Sequence, residues 1–379
     1  MQKKTSNVAL LPVLFGFFIM GFVDLVGIAT NYVKKDFSLT DSISNLLPMM
    51  LFLWFAILSV PTGLLMNKMG RKNTVLLSMF VSLLAMLLPF ISYSFVAILV
   101  AFSLLGIGNT IIQVALNPLL SNVVSGDRLA SSITFGQFVK AIAAFLGPII
   151  AAYASLHYGS WKLIFPVYAI VTILSALWLF LTPIEKEKVS QSTTSFAGCF
   201  KLLQDKLILL LFIGIVFVVG IDVGLNTSIP KFLMEKCSIS LEDASWGISL
   251  YFIARTVGSF VGALLLVKLS AKKFFMYSMV ALIPLFIIML FVSQLWMLFA
   301  LIFIVGLLIA NVFSIIFSVA LKRLPERANE VSGLMVMGIA GGALMPMIMA
   351  LISDASNQTF GFAVLLLAII YLLFTSFKL

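Results

Sequence analysis

TPIEKEKVSQSTTSFAGCFKLLQDK, residues 182–206, is the longest polar stretch of a chain that is otherwise strongly apolar. The fold follows from what lies on either side of it. Before it, apolar runs predict helices over residues 8–31, 43–66, 74–93, 95–124, 130–156 and 160–182. After it they predict helices over 207–234, 243–268, 273–293, 295–322, 328–353 and 358–378. About 20 apolar residues cross a bilayer as a helix, whereas barrel strands are short and alternating, so runs of this length indicate helices. Composition agrees. Of 379 residues, 62% are hydrophobic and 10% charged, with a mean hydropathy of +1.19, against roughly one-quarter charged residues in a soluble domain. The expected class is an all-α membrane protein whose twelve transmembrane helices form two pseudo-symmetric six-helix bundles. The first apolar run follows Lys3 and Lys4. It exceeds the roughly 7 to 15 residues of a signal-peptide core and no small-residue cleavage site follows, so it is expected to remain as a helix.

Charge sets the expected orientation. With both termini in the cytoplasm, seventeen of the 24 Lys and Arg fall on that side: Lys3, Lys4, Lys68, Arg71, Lys72, Arg128, Lys186, Lys188, Lys201, Lys206, Lys268, Lys272, Lys273, Lys322, Arg323, Arg327 and Lys378. Five (Lys34, Lys35, Lys162, Lys231, Lys236) fall outside, and Lys140 and Arg255 lie within spans. Positive-inside bias therefore accounts for the +10 net charge, and no nucleic-acid partner is invoked. Cys199 and Cys237 are expected on opposite faces, where they cannot pair with each other. One histidine, His157, and no metal-ligand cluster argue against an enzyme.

The halves repeat. AIAAFLGPIIAAY (141–153) lines up with IAGGALMPMIMAL (339–351), bringing Pro148 onto Pro346. IIQVAL (111–116) matches IFSVAL (316–321), and GFVDLVG in the first helix returns as GIDVG in the seventh. Three echoes in the same order indicate a duplicated six-helix unit, the organisation of secondary transporters. The expected domains are residues 1–182, a cytoplasmic linker 183–206 and residues 207–379.

GLLMNKMGRK (63–72) resembles the loop between helices 2 and 3 of the major facilitator superfamily, with Asn67 where that signature usually has Asp. VVGIDVGLNTSIPKFL (218–233), IFSVALKRL (316–324), SGLMVMGIAGGALMPMIMALISD (332–354), ALNPLLSNV (115–123) and GFFIMGFVDLVGIATNY (16–32) resemble the fucose:proton symporter family of sugar transporters. The resemblance implies the MFS fold and a sugar permease of the bacterial inner membrane. It also implies proton coupling through a helix 1 Asp and a helix 4 Glu. Asp24 matches the first, Gln113 replaces the second, and Lys140 stands where the family usually has Asn.

Polar residues inside the spans mark candidate sites. An ionised side chain near the bilayer centre costs at least roughly 2.5 to 3.5 kcal/mol, so it normally meets a partner or a wet cavity. Four qualify, Asp24, Lys140, Asp222 and Arg255, two per half, permitting one ion pair in each. These are the expected coupling switch, with Asp24 the expected partner of Lys140. Amides both donate and accept, which suits a neutral polyol. Asn109, Gln113 and Asn117 share one helical face; Gln137 shares one with Thr134 and Lys140; Asn226 follows Asp222 by one turn; Tyr251 aligns with Arg255 and Ser259; and Asn311 aligns with Ser314 and Ser318. With Asn31 in the first helix, these amides and Tyr251 are the candidate sugar contacts. Phe138, Trp246, Tyr251 and Phe252 offer rings to stack on a sugar. The expected function is symport of a monosaccharide by a monomeric carrier embedded in lipid. Protons are the expected coupling ion and sodium the alternative, with no cofactor or resident metal. Uniport, or carriage of a sugar acid or small organic anion to Lys140 and Arg255, is the rival.

Overall fold

The computed structural model describes residues 7–39, 41–44, 46–124, 126–185 and 195–379. Lys3, Lys4, Lys186, Lys188 and the centre of the linker lie outside the described residues. Twelve helices among them are long and apolar enough to span a membrane. They are α1 (Val8–Asp36), α2 (Leu46–Met69), α3 (Arg71–Ile91), α4 (Phe95–Val123), α5 (Gly126–Tyr158) and α6 (Trp161–Leu181). After the linker come α7 (Lys206–Cys237), α8 (Trp246–Leu265), α9 (Ala271–Phe291), α10 (Leu295–Arg323), α11 (Pro325–Ala355) and α12 (Gln358–Lys378). Each predicted apolar run has its helix. Ends differ by a few residues in both directions: α1 runs on through polar residues to Asp36, whereas α3 stops at Ile91 and α8 at Leu265, short of the expected 93 and 268. In hydrocarbon every backbone N–H and C=O must be satisfied within the segment, which is why each span is helical.

Contacts divide the chain into two units. The first comprises Met1–Leu129, Gly136–Phe200 and Leu324–Met337. The second comprises Ala130–Phe135, Lys201–Arg323 and Gly338–Leu379. Two short segments thus pack away from their own sequence half. In the second unit Ser131 at the start of α5 donates to the Ala263 carbonyl of α8 at 2.6 Å. In the first unit Ser332 of α11 donates to the Val114 carbonyl of α4 at 2.6 Å.

Small residues set the helix crossings, since apolar lipid leaves close packing to hold spans together. Within the first unit, Gly21 lets α1 lie against the backbone of α5. A Cβ there would sit 2.5 Å from the Lys140 carbonyl oxygen and 2.7 Å from the Ala143 Cβ. Within the second unit, Gly341 of α11 meets the Val216 carbonyl of α7 in the same way. Ala143 and Gly341 occupy matching positions in the AIAAFLGP and IAGGALMP echo. The repeat is therefore a repeat of crossing geometry.

Both crossings lie beside departures from regular α-helix. α1 tightens to a 3-10 turn at Gly21–Asp24, and α11 does so at Gly338–Ala340. α10 is interrupted at Ala310 and Asn311, between Leu295–Ile309 and Val312–Arg323. Irregular backbone at membrane depth is tolerated where protein or a wet cavity covers it.

Candidate functional site

In the first unit the mid-membrane charges ride on the α1–α5 crossing. The 3-10 turn ends on Asp24, whose side chain is exposed, while Lys140 is half-buried on α5. The expected Asp24–Lys140 ion pair is not formed, and no carboxylate among the described residues lies within 4 Å of the Lys140 ammonium. The crossing is held instead by backbone contact at Gly21, which brings the two helices together without turning the two side chains onto each other. Behind Asp24, Phe22 stacks on Tyr168 of α6, centroids 3.7 Å apart. Tyr168 is buried and feels the Asp24 charge, a neighbour that the sequence reading missed. Gln137 is half-buried one turn before Lys140. Thr134, expected on that same face, is fully buried in the second unit. Asn31 is exposed two turns beyond Asp24.

The amides of α4 are used differently from the expectation. Asn109, Gln113 and Asn117 are 2%, 7% and 2% exposed. Asn109 donates to the Met20 carbonyl of α1 at 2.8 Å and accepts from Gln113 at 2.8 Å, and Asn117 donates to the Gln113 carbonyl at 3.3 Å. This ladder ties α4 to the residue that precedes the 3-10 turn carrying Asp24. Each of its amides makes a hydrogen bond to protein in this conformation, and the buried side-chain oxygen of Asn117 has no partner among the described residues.

In the second unit the expected pair is present. Arg255 donates to one oxygen of Asp222 at 2.6 Å, and Tyr251 donates to the other at 2.7 Å. Asp222 and Arg255 keep 27% and 32% of their side-chain surface, so the pair opens to solvent on one side. Tyr251 is fully buried. Its hydroxyl is used on Asp222 and its ring lies 6.0 Å from the Arg255 guanidinium, so it is no free stacking platform. Asn226 is half-buried one turn beyond Asp222. Asn311, expected at the sugar, is 1% exposed at the break in α10 and donates to the Gly258 carbonyl at 3.1 Å. It packs against Gly262 as well, in the gap two glycines leave on α8. Of the proposed stacking rings, Trp246 and Phe252 are 65% and 45% exposed on α8.

A further polar cluster in the first unit was not singled out from sequence as a set. Gly70, at φ +83°, makes a one-residue turn between α2 and α3, a conformation suited to glycine. Arg71 follows it, buried. It donates to Asn329 at 2.7 Å, to the Pro118 carbonyl at 3.0 Å and to Asn122 at 2.6 Å. Asn329 in turn donates to Asn67 at 2.7 Å, and Asn67 donates to Glu330 at 3.1 Å. Glu330 is 2% exposed, with Arg327 3.9 Å away. The carboxylate that the loop lacks at Asn67 is thus supplied by α11. Arg327 also donates to the Gly198 carbonyl at 3.2 Å, beside the fully buried Cys199. The signal in the sequence was the Asn67 substitution, which asks where the missing acid has gone.

The family model of the Major Facilitator Superfamily matches residues 12–236 and 211–378. A glucose/galactose transporter of Brucella abortus is 25% identical over 395 residues, covering 98% of this chain and 94% of that protein. A putative glucose/galactose transporter of Helicobacter pylori is 26% identical over 408 residues, covering 100% and 98%. Among solved structures, the Escherichia coli fucose:proton symporter FucP superposes with a TM-score of 0.86 at 15% identity, covering 99% of both chains.

Proposed function

The chain belongs to the major facilitator superfamily, and on that premise we propose that it carries a monosaccharide, a hexose or deoxyhexose, across the bacterial cytoplasmic membrane by proton-coupled symport. Two relatives named for glucose and galactose transport, each matching nearly the whole chain, support the substrate class. The positive-inside distribution of Lys and Arg supports cytoplasmic termini.

One observation carries the coupling assignment. Of the two mid-membrane carboxylates, Asp222 has both oxygens occupied, by Arg255 and Tyr251. Asp24 is exposed and unpaired with Lys140. The Asp222 carboxylate is already engaged by a guanidinium and a phenol within its own unit. Asp24, which is not so engaged, is the carboxylate assigned to proton coupling. Its protonation removes a mid-membrane charge, and a carrier that exposes that charge to water in one state and buries it in another responds to that change. Lys140, on the helix that α1 crosses, is the positive member of the switch. Gln137, Asn226 and Asn31, amides with accessible surface, take the sugar hydroxyls. The α4 ladder and Asn311 hold the helices that carry the charges. The carrier works by alternating access.

Counterflow of labelled glucose, galactose and fucose in proteoliposomes, followed by uptake under imposed proton and sodium gradients, tests this assignment. Asp24→Asn is expected to abolish proton-driven accumulation while sparing counterflow. If neither gradient drives accumulation by the wild type, symport is wrong. Accumulation driven by sodium alone would replace the proton. A second reading, carriage of a sugar acid, is favoured by the absence of any carboxylate within 4 Å of Lys140 among the described residues. Competition by galacturonate that disappears in Lys140→Asn would support it over the neutral sugar.

A further inference from the structure

Three spans of the second unit end on a cation around one hollow. Lys206 is the first residue of α7, Arg323 the last of α10 and Lys378 the last of α12. Together with Leu207, Leu210 and Phe374 they line a cavity of about 700 Å³. The cavity lies far from Asp222 along α7, at the helix end, so it is not a continuation of the charged site. Asp205 at its edge caps α7, accepting from the Leu207 and Ile208 amides at 2.8 and 3.3 Å. Its other oxygen is taken by Arg323 at 3.0 Å. No acidic side chain among the described residues pairs with Lys206 or Lys378, and Lys272 of α9 adds a further cation near the rim through the Phe377 carbonyl at 3.4 Å. The hollow therefore carries uncompensated positive charge.

Its depth and its walls identify the occupant. Span ends lie where hydrocarbon gives way to headgroups. From the cavity an apolar stripe descends along the exposed side of α12. Phe377, Phe374, Ile370 and Leu367 are 53%, 50%, 48% and 71% exposed, at the spacing that puts them on one helical face. Ten residues of helix cover about 15 Å, roughly the depth of one leaflet. Beside the stripe Tyr371 donates to the Leu210 carbonyl at 3.1 Å, joining α12 to α7 and closing that wall. A soluble anion would use the cations and ignore the stripe; an anionic phospholipid uses both.

We propose that this basic cavity is a binding site for an anionic phospholipid, its headgroup phosphate held by Lys206, Lys378 and Arg323 and one acyl chain laid along Leu367–Phe377. The site is independent of what the carrier transports. Because it bridges α7, α10 and α12, an occupied site ties their ends together.

The test uses the full chain in nanodiscs of phosphatidylethanolamine containing phosphatidylglycerol, released into the gas phase for native mass spectrometry. The wild type is expected to retain phosphatidylglycerol in preference to phosphatidylethanolamine. K206Q/K378Q should lose that preference by about 30-fold, at about fivefold for each cation at the membrane surface. K206R/K378R should keep it, which separates charge from misfolding. Inorganic phosphate titrated onto delipidated protein is the second arm, and weaker binding than phosphatidylglycerol supports the lipid. Phosphate binding as tight as phosphatidylglycerol, with the same lysine dependence, would reassign the cavity to a soluble anion and overturn the proposal. Unchanged lipid retention in K206Q/K378Q would overturn it directly.

Discussion

Glu330→Gln removes one charge from the buried cluster of the first unit and leaves its shape almost unaltered. The carboxylate accepts from Asn67 at 3.1 Å and sits 3.9 Å from Arg327. A hydrogen bond to a charged group contributes about 1.5 to 3 kcal/mol, against about 1 for a neutral one. Exchanging the charged acceptor for a neutral one forfeits the difference, about 0.5 to 2 kcal/mol, and at 1.36 kcal/mol per tenfold this makes separation of α11 from the loop after α2 about 2- to 30-fold more frequent. A native reporter lies beside it. Cys199 is fully buried next to Arg327's contact with the Gly198 carbonyl. Its thiol is pushed up to about 11 by burial and by the negative charge of Glu330, partly offset by Arg327. Maleimide therefore reacts only in the opened form and only with a small thiolate fraction. In a Cys237→Ser background, the labelling rate of Cys199 is expected to rise about 2- to 30-fold in Glu330→Gln. Part of the rise would come from the lowered thiol pKa once the carboxylate charge is gone. That part is read from the pH profile of labelling in each protein, whose midpoint reports the thiol pKa, while denatured-state controls check that the intrinsic reactivity is the same. A rate within twofold of wild type, at unchanged thermal stability, would refute the assignment of Glu330 as the acid that replaces the loop carboxylate.

The pair in the second unit yields a double-mutant cycle. Asp222→Asn and Arg255→Gln are each expected to lower thermal stability more than their combination does, because each single change leaves one charge uncompensated; additive losses would show the pair to be uncoupled. Tyr251→Phe keeps the ion pair and strands one carboxylate oxygen, for an expected loss of about 1 to 3 kcal/mol by thermal or chemical denaturation. Gly21→Val should abolish folded expression, since its Cβ would lie 2.5 Å from the Lys140 carbonyl; a well-folded variant would mean that α1 and α5 are not in contact there. Burial raises the Asp205 carboxyl, but hydrogen bonds from the Ile208 and Leu207 amides and the Arg323 guanidinium outweigh it and hold the group below its ordinary 3.8. Its contribution is therefore present above that value and lost as pH falls through the lowered folded value. Asp205→Ala should cost about 1 kcal/mol near neutral pH, and the deficit should shrink in acid, which a series of melting curves would show.

How far the site was legible depended on the kind of interaction. The Asp222–Arg255 pair could be anticipated because two opposite charges in adjacent spans have few other ways to lie at membrane depth. The same reasoning misled for Asp24 and Lys140. They share a crossing, but backbone contact at Gly21 fixes the rotation of α1, and that rotation leaves Asp24 exposed and apart from the ammonium. The amides of α4 were rightly placed on one face, yet that face meets the Met20 carbonyl. An amide that suits a sugar hydroxyl suits a backbone carbonyl equally well, so residue type does not distinguish them. Asn311 was misread for the same reason, its partner being the Gly258 carbonyl.

The amino-acid sequence alone determined that the chain spans a membrane twelve times, that its halves repeat and that four charges lie inside its spans. These are sums over local stretches of about 20 residues, and the cost of exposing polar backbone to lipid makes such sums decisive. Tertiary structure decided which charges meet, which amides are occupied by protein and where the acid missing from Asn67 is supplied. Those outcomes depend on the rotation and depth of each helix, set by close contacts at Gly21, Gly341 and Gly262 with residues far away in the chain. Hydropathy carries no information about rotation around a helix axis, so a residue's type could mark it as polar and deep without saying what it faces.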